Sequence, residues 1–495
     1  MIKTSAIILL LILGSVFVRI YHIEATGLNQ NETLTLCRVN GISASINNEI
    51  IIETEIPPTF KHQDIRNIKT YGNVIEATIN DSGNAIAYNV ILMWWTKLFG
   101  DTNTSMRMMS LLFGILTVIL GYYFCRQLFN ERTANIAGLL LCFHPVLVEY
   151  GQLARSYVPA TFFILLTTYS IYQVSVSKKH TWLHIPLYVI SLNISLLFHY
   201  VTLYVFISHI FLVAIFHSHK KALVQYAIMA VIGFGIFSIW LFNGGWEGKR
   251  PINIEKSMWQ QHLPVNGEDP TNIQSVSTVL YDVGMNWVRI FGNDLEPKTR
   301  GNHAFHLMLL LPAAAIFFVF LKVRKSEYFR PVMFVTFPFI LYTIYVLVMA
   351  LRTGHNIPFD IRYSIFVIPF ACMLLAFGID RMMEYNSIAK ASAYVLISII
   401  AAIMIAGFFP GLLRPIKNAP EDSFTYHHAV DFIENNAAPG DTIVFQNTKD
   451  ALLTNFYMKK NAEWIQKVDP YSALNEVVVL NGEKKNAYSL STTRY

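Results

Sequence analysis

Charge is scarce in this chain. Only 14% of its 495 residues are Asp, Glu, Lys or Arg, 54% are hydrophobic, and the mean hydropathy is +0.41. Soluble domains carry about 25% charged residues, so a soluble multidomain enzyme is excluded. Cysteine is scarcer still, at four residues. Cys125, Cys142 and Cys372 fall in or beside apolar runs, leaving Cys37 alone, so neither a disulfide framework nor metal-ligand spacing is present. No basic stretch is interleaved with aromatics, and the net charge of +6 therefore signals no nucleic-acid partner. There is no internal repeat and no low-complexity tract. Charged residues also avoid the long apolar runs. Ion-coupled transporters place ionisable groups at membrane depth, and that absence argues against one.

What is present is a series of apolar runs. A bilayer core about 30 Å thick needs about twenty apolar residues in a helix. About eleven runs qualify as spans: Ser5–Val18, Met108–Cys125, Thr133–Val148, Val158–Val174, Leu183–Phe198, Val201–Phe216, Leu223–Phe242, Ala304–Leu321, Pro331–Ala350, Tyr363–Ile379 and Ala391–Phe409. The first has no A-x-A-like site after it and reads as a retained span, not a cleaved signal. Alternate links carry the basic residues: Arg126 and Arg132, Lys178 and Lys179, Lys220 and Lys221, Lys322 to Arg330, then Arg381 and Lys390. Those links are read as cytoplasmic. The first loop (about 23–107), the loop Asn243–His303 and the C-terminal segment then lie outside the cytoplasmic membrane.

The first loop holds a second apolar stretch, Asn84–Phe99, too short to span comfortably and carrying Trp94 and Trp95. It predicts a helix lying in the interface. A span there would invert every later link. The expected organisation is a transmembrane domain over 1–409 and a small αβ extracytoplasmic domain over 410–495. The latter should contain a helix at Ser423–Asn436, a Pro439-Gly440-Asp441 turn and a strand at Thr442–Phe445.

Five polar places fall on one membrane face. They are Leu28 to Thr33, with Asn31-Glu32, after the first span, Asn80 to Asn84, with Asp81, before the interfacial helix, and His144-Pro145 with Glu149 to Tyr157. The remaining two are His199-Tyr200, and Asp360 to Tyr363 with Arg352 and His355 upstream. Sugar transfer from a lipid phosphate needs a carboxylate to accept the acceptor's proton and guanidinium donors on the leaving phosphate. Glu32 and Asp81 are the catalytic candidates. Asn31, Asn84, Gln152, Arg155, Tyr157, His199, Tyr200, Arg362 and Tyr363 are the binding candidates. Each has an ordinary reading too: an Arg at a span end anchors to headgroups, a His-Tyr at a turn packs, and a loop carboxylate is solvated. Their coincidence on one face makes the joint case.

The stretch from Asp81 to Tyr157 resembles the GT-C fold membrane glycosyltransferases, specifically the family 39-like group of protein mannosyltransferases and the lipid A aminoarabinose transferase. The matching features are Trp94–Gly100, Arg107, Arg126-Gln127-Leu128-Phe129, Pro145 and Tyr150-Gly151-Gln152-Leu153-Ala154-Arg155-Ser156-Tyr157. His199-Tyr200, Arg362-Tyr363 with Pro369, and Ala438–Phe445 extend the likeness. The resemblance implies an inverting transferase using a polyprenyl-phosphate-linked sugar and no cofactor. Two departures stand out: the family's Asp-Glu is Asn31-Glu32 here, and the Glu of its Gln-Glu-x-Arg is Leu153. Fewer hard oxygen ligands make a divalent metal site less favoured. The competing class is a non-enzymatic membrane component, such as a lipid-linked glycan flippase or binding subunit.

Overall fold

The computed structural model describes residues 4–21, 23–24, 27–42, 59–60, 70–80, 84–177, 180–216, 220–248, 283–284, 290, 326–353, 361–413, 422–438, 441–445, 454, 465–468, 476–481 and 484–489. The chain forms two compact units. One comprises Met1–Tyr21, Arg107–Asn243 and Lys249–Leu413; the other comprises His22–Met106, Gly244–Gly248 and Arg414–Tyr495.

The first unit is helical and polytopic. Six of its described helices are long and apolar enough to cross a membrane: Asn103–Leu128, Tyr157–Ser177, Thr181–Phe198, Val224–Phe242, Phe329–Leu351 and Ile361–Tyr385. A seventh is the pair Glu131–Phe143 and Pro145–Gly151, bent by 50°. Shorter apolar helices run over Thr4–Ile20, Tyr200–Phe216 and Ser387–Ala402. The expected span Ala304–Leu321 lies outside the described residues.

The bend follows from the sequence. Pro145 has no N–H, so helix Glu131–Phe143 cannot continue through it, and Pro145 instead opens the next helix at its first position. The most enclosed span is Ile361–Tyr385. It begins as two 3₁₀ turns, Ile361–Tyr363 and Ile365–Val367, before Pro369 starts the α-helix Ile368–Tyr385. The Ser364 hydroxyl, fully buried, shares a 2.7 Å hydrogen bond with the Tyr342 hydroxyl and fixes that entry.

Charge is buried in this unit just beyond the ends of the apolar runs. Arg19 and Asp380 are fully buried and Arg107 nearly so. All three sit at span ends and not mid-run, which is why hydropathy passes over them. Asp380 accepts from Asn130 (2.7 Å), Thr133 (2.8 Å), Arg381 (3.2 Å) and Arg132, tying Glu131–Phe143 to the central span. A neutral seam runs elsewhere. Thr168 and Tyr188 hydrogen bond to the two ring nitrogens of buried His209 at 3.1 and 3.3 Å, and Tyr188 reaches Tyr226 at 3.3 Å.

The second unit draws on distant parts of the chain. Its five-stranded sheet runs β1-β3-β2-β4-β5, with β1 at Thr59–Phe60, β2 at Thr442–Phe445, β3 at Ile465–Val468, β4 at Glu476–Asn481 and β5 at Lys484–Ser489. Among the described strands only β2 and β3 pair in parallel; β1 runs antiparallel to β3, with Thr59 opposite Lys467. The first loop thus shares a sheet with the C-terminal segment, where the sequence reading had kept 23–107 with the spans. Helix Asp422–Asn436 packs Ala429, Val430 and Ile433 inward, and Phe445 is buried on the neighbouring strand. The Asp441 carboxylate accepts the Ala438 N–H at 2.8 Å and closes the connection between them. The interfacial helix expected near Asn84–Phe99 is Ile86–Phe99, and it is not among the candidate spans.

Candidate functional site

In the first unit, three separate chain segments meet at His199. The imidazole lies in the turn between Thr181–Phe198 and the 3₁₀ turn Tyr200–Thr202. Its ring centroid is 5.0 Å from Phe366, 5.6 Å from Tyr157 and 6.0 Å from Tyr363. Tyr157 in turn meets Tyr150 edge-on at 5.6 Å. Arg155 holds its guanidinium 5.4 Å from the centre of the Tyr157 ring, and Arg362 holds its own 5.2 Å from that of Tyr363. An Arg155 Nη also donates to the Tyr157 hydroxyl at 3.4 Å.

The electrostatics follow from this packing. Burial pushes the His199 pKa down to about 3, and the charges of Arg155 and Arg362 push in the same direction. The ring is therefore neutral at physiological pH. Its Nδ1 accepts the Val201 N–H at 3.3 Å, which places the ring proton on Nε2. The site combines two permanent cations, one neutral N–H donor and a wall of aromatic faces. Such a set suits an anionic headgroup with an attached apolar or carbohydrate group.

The 152–156 turn positions Arg155. Its N–H donates to the Leu153 carbonyl at 2.8 Å, and its carbonyl accepts from the Ser110 hydroxyl at 3.0 Å. Gln152, expected to bind substrate, is engaged with backbone carbonyls here. Its amide donates to the carbonyls of Tyr21 (2.7 Å), Arg19 (3.1 Å) and Val18 (3.4 Å) at the end of the first helix. Tyr200 is likewise occupied, accepting the Trp240 indole N–H at 3.0 Å and packing edge-on against Phe237.

In the second unit, Glu32 is fully buried and completes a capping box. Asn29 Oδ1 accepts the Glu32 N–H at 2.9 Å, while Glu32 Oε2 accepts the Asn29 N–H at 3.0 Å. Asn31 is exposed on the same helix. Asn84 precedes the interfacial helix, its Oδ1 accepting the Ala85 N–H at 3.0 Å. Asp81 lies outside the described residues, as do His355 and Asp360. Among the described residues no three His, Cys, Asp or Glu side chains gather in a metal-holding group. Sequence reasoning missed Phe366 and Arg19. Phe366 is one apolar residue among many, and Arg19 lies just past the first apolar run.

Polytopic apolar helices, a bent span and an arginine–aromatic cluster at the helix ends describe a multi-pass membrane protein with a GT-C-like fold. The likeness to a solved structure agrees. The crystal structure of ArnT from Cupriavidus metallidurans bound to undecaprenyl phosphate superposes with a TM-score of 0.52 at 12% identity, covering 92% of this chain and 75% of that one. This is a likeness of fold. An archaeal oligosaccharyltransferase, AglB from Archaeoglobus fulgidus in complex with an inhibitory peptide and a dolichol-phosphate, matches at TM-score 0.48 and 11% identity, over 95% of this chain and 61% of that one. At the sequence level, residues 84–242 match the family of dolichyl-phosphate-mannose-protein mannosyltransferases. That segment contains the interfacial helix, the bent span, Arg155, Tyr157 and His199. No curated protein sequence is a significant match.

Proposed function

We propose that this protein is a glycosyltransferase that moves a sugar from a polyprenyl-phosphate-linked donor to an acceptor outside the cytoplasmic membrane, with inversion at the anomeric carbon. The observation that carries this reading is the convergence of Arg155 and Arg362, from spans far apart in sequence, on His199 and its ring wall. The mannosyltransferase family match over 84–242 and the undecaprenyl phosphate bound to ArnT support a lipid-phosphate donor.

In the proposed reaction the acceptor hydroxyl oxygen attacks the anomeric carbon. The bond from that carbon to the phosphate oxygen breaks, and its electron pair leaves on the lipid phosphate. Arg155 and Arg362 neutralise the charge that develops there, with planar donors suited to two phosphate oxygens. His199 adds a neutral N–H, and the tyrosines stack against the sugar or the first isoprene unit. The hydroxyl proton goes to a carboxylate, for which Glu32 and Asp81 are the candidates read from the sequence. The protein sits among membrane lipids and requires no cofactor in this scheme.

Mass spectrometry of the lipid that co-purifies with the wild-type protein tests the reading. A polyprenyl phosphate or its glycosylated form is expected. Transfer of sugar from such a lipid must also be measurable in reconstituted vesicles. Binding of the lipid without any transfer would favour a non-enzymatic lipid-glycan binding component.

A further inference from the structure

The fully buried arginine of the first helix is built into the fold in a way that catalysis does not explain. Helix Glu131–Phe143 stops at His144, and Pro145 cannot offer its N–H to the Leu141 carbonyl. Arg19 supplies what is missing. Its Nη1 donates to the Cys142 carbonyl at 3.1 Å and to the Ser15 hydroxyl at 2.6 Å, and its Nη2 reaches the Leu141 carbonyl at 3.5 Å. The reverse arrangement stands beside it. Helix Thr4–Ile20 ends in carbonyls that its own backbone leaves over, and Gln152 donates to those of Val18, Arg19 and Tyr21. Each helix end is therefore capped by a side chain from the partner segment.

Two glycines make the room. A Cβ on Gly114 would stand 2.8 Å from Arg19 Nε, and one on Gly151 would stand 3.3 Å from the same atom. Arg19 Nε meets no acceptor among the described residues. A buried donor without an acceptor is costly, and the contacts to the Cys142 and Leu141 carbonyls and the Ser15 hydroxyl offset that cost. The turn that follows Gln152 carries Arg155, whose carbonyl is held by Ser110, on the same helix as Gly114.

We propose that Arg19 and Gln152 are positioning residues, a reciprocal helix-end clasp that sets the 152–156 turn and so aims Arg155 at the donor phosphate. The catalytic part of this proposal rests on the function proposed above; the clasp does not. A small misplacement of a phosphate ligand is enough to lower affinity and rate severalfold or more.

The test uses full-length purified protein and two readouts. The first is the affinity for undecaprenyl phosphate. Arg19→Met and Gln152→Leu should each raise its Kd by about 3–10-fold. Gly114→Ala should do the same alone but add little to Arg19→Met, because no guanidinium remains to be displaced. Arg155→Lys should also lose less in the Arg19→Met background than in wild type. The second readout is alkylation of Cys142, which is buried in the wild type beside the clasp and is mapped by mass spectrometry. Arg19→Met should expose it. If Arg19→Met does not fold, Arg19→Lys replaces it, with the same directions and smaller changes. Cys142 remaining protected in folded Arg19→Met would overturn the clasp. Exposed Cys142 with unchanged lipid affinity, or additive Gly114→Ala and Arg19→Met effects, would overturn the positioning role. Failure of the wild type to bind the lipid would instead strike the functional reading and with it the aim of Arg155, and the alkylation arm would then decide the clasp alone.

Discussion

Two clusters in the helical unit are each built around a pair of arginines and put to opposite ends. At Asp380, arginines meet carboxylates. Arg132 contacts Asp380 and Glu384, Arg381 bridges the same two acids, and Arg381 also lies over the Tyr328 ring at 4.9 Å. Its Asp is saturated by Asn130 and Thr133 as well. Around His199, arginines are held by tyrosine faces and a phenol hydroxyl. A ring face fixes a guanidinium while leaving its N–H edge geometry intact for an anion. The first arrangement is closed and structural. The second gathers two arginines and aromatic faces around one neutral imidazole, the set that the proposed function assigns to a lipid phosphate. Arginine content alone does not separate the two; the partners do.

The largest effect should come from neither cluster but from the proposed base. Glu32→Gln should lower sugar transfer by about 10²–10⁴-fold. Because Gln also completes a capping box, thermal stability should stay within about 0.5 kcal/mol of wild type. Glu32→Ala loses both functions and is the less informative variant. Transfer at the wild-type rate in Glu32→Gln would leave Asp81 as the carboxylate to test.

The next effect sharpens the contrast directly. Arg155→Lys and Arg362→Lys keep the charge but lose the planar double donor, and each should reduce kcat/KM for the lipid donor by about 10–100-fold. Arg132→Lys, at the other cluster, should leave kcat/KM per folded molecule within about twofold. Equal losses at both clusters would erase the distinction.

Stability should show the mirror image. Asp380→Asn removes the acceptor shared by two arginines and should cost about 1–3 kcal/mol, read as a lowered midpoint of thermal unfolding in detergent. Transfer by the molecules that remain folded should persist.

A further effect concerns pH. The folded-state pKa of His199, about 3, lies below the ordinary 6.5, so between those values the unfolded chain binds the extra proton. Stability therefore falls as pH drops through this window, by at most about 1.4 kcal/mol per unit for one group. His199→Gln should flatten that part of the unfolding profile between about pH 6.5 and 4. An unchanged slope would mean that His199 is not held neutral by burial and by Arg155 and Arg362.

Much of this architecture was legible in the residues. Apolar runs mark the described spans because hydrocarbon imposes length and composition together. Arg155, His199 and Arg362 could be assigned to one face because the basic links alternate. The N-terminal signal around Glu32 was also visible as Asn29-x-x-Glu32, yet it was read only as chemistry. Other features were not accessible. The pairing of Thr59 with Lys467 joins strands about four hundred residues apart and leaves no local pattern. Gln152 sits inside a family-like motif, so its attachment to backbone carbonyls was hidden by the resemblance. The Arg19 clasp had one faint trace: Pro145 orphans a carbonyl that some donor must satisfy, but the sequence does not say which.

Orientation can be checked with described, exposed positions. A cysteine at His428 should react with an impermeant thiol reagent in intact cells, and one at Glu327 should not. Labelling at Glu327 alone would reverse the proposed facing of the site.

The central claim is that two arginines meet at His199 to hold the phosphate of a lipid-linked sugar during its transfer. It is tested most directly by purified, reconstituted protein given a polyprenyl-phosphate sugar, with release of the free polyprenyl phosphate followed over time. The account predicts release by wild type in the presence of an acceptor fraction, and loss of at least about tenfold in both Arg155→Lys and Arg362→Lys. Release that proceeds equally in wild type and both lysine variants would contradict it.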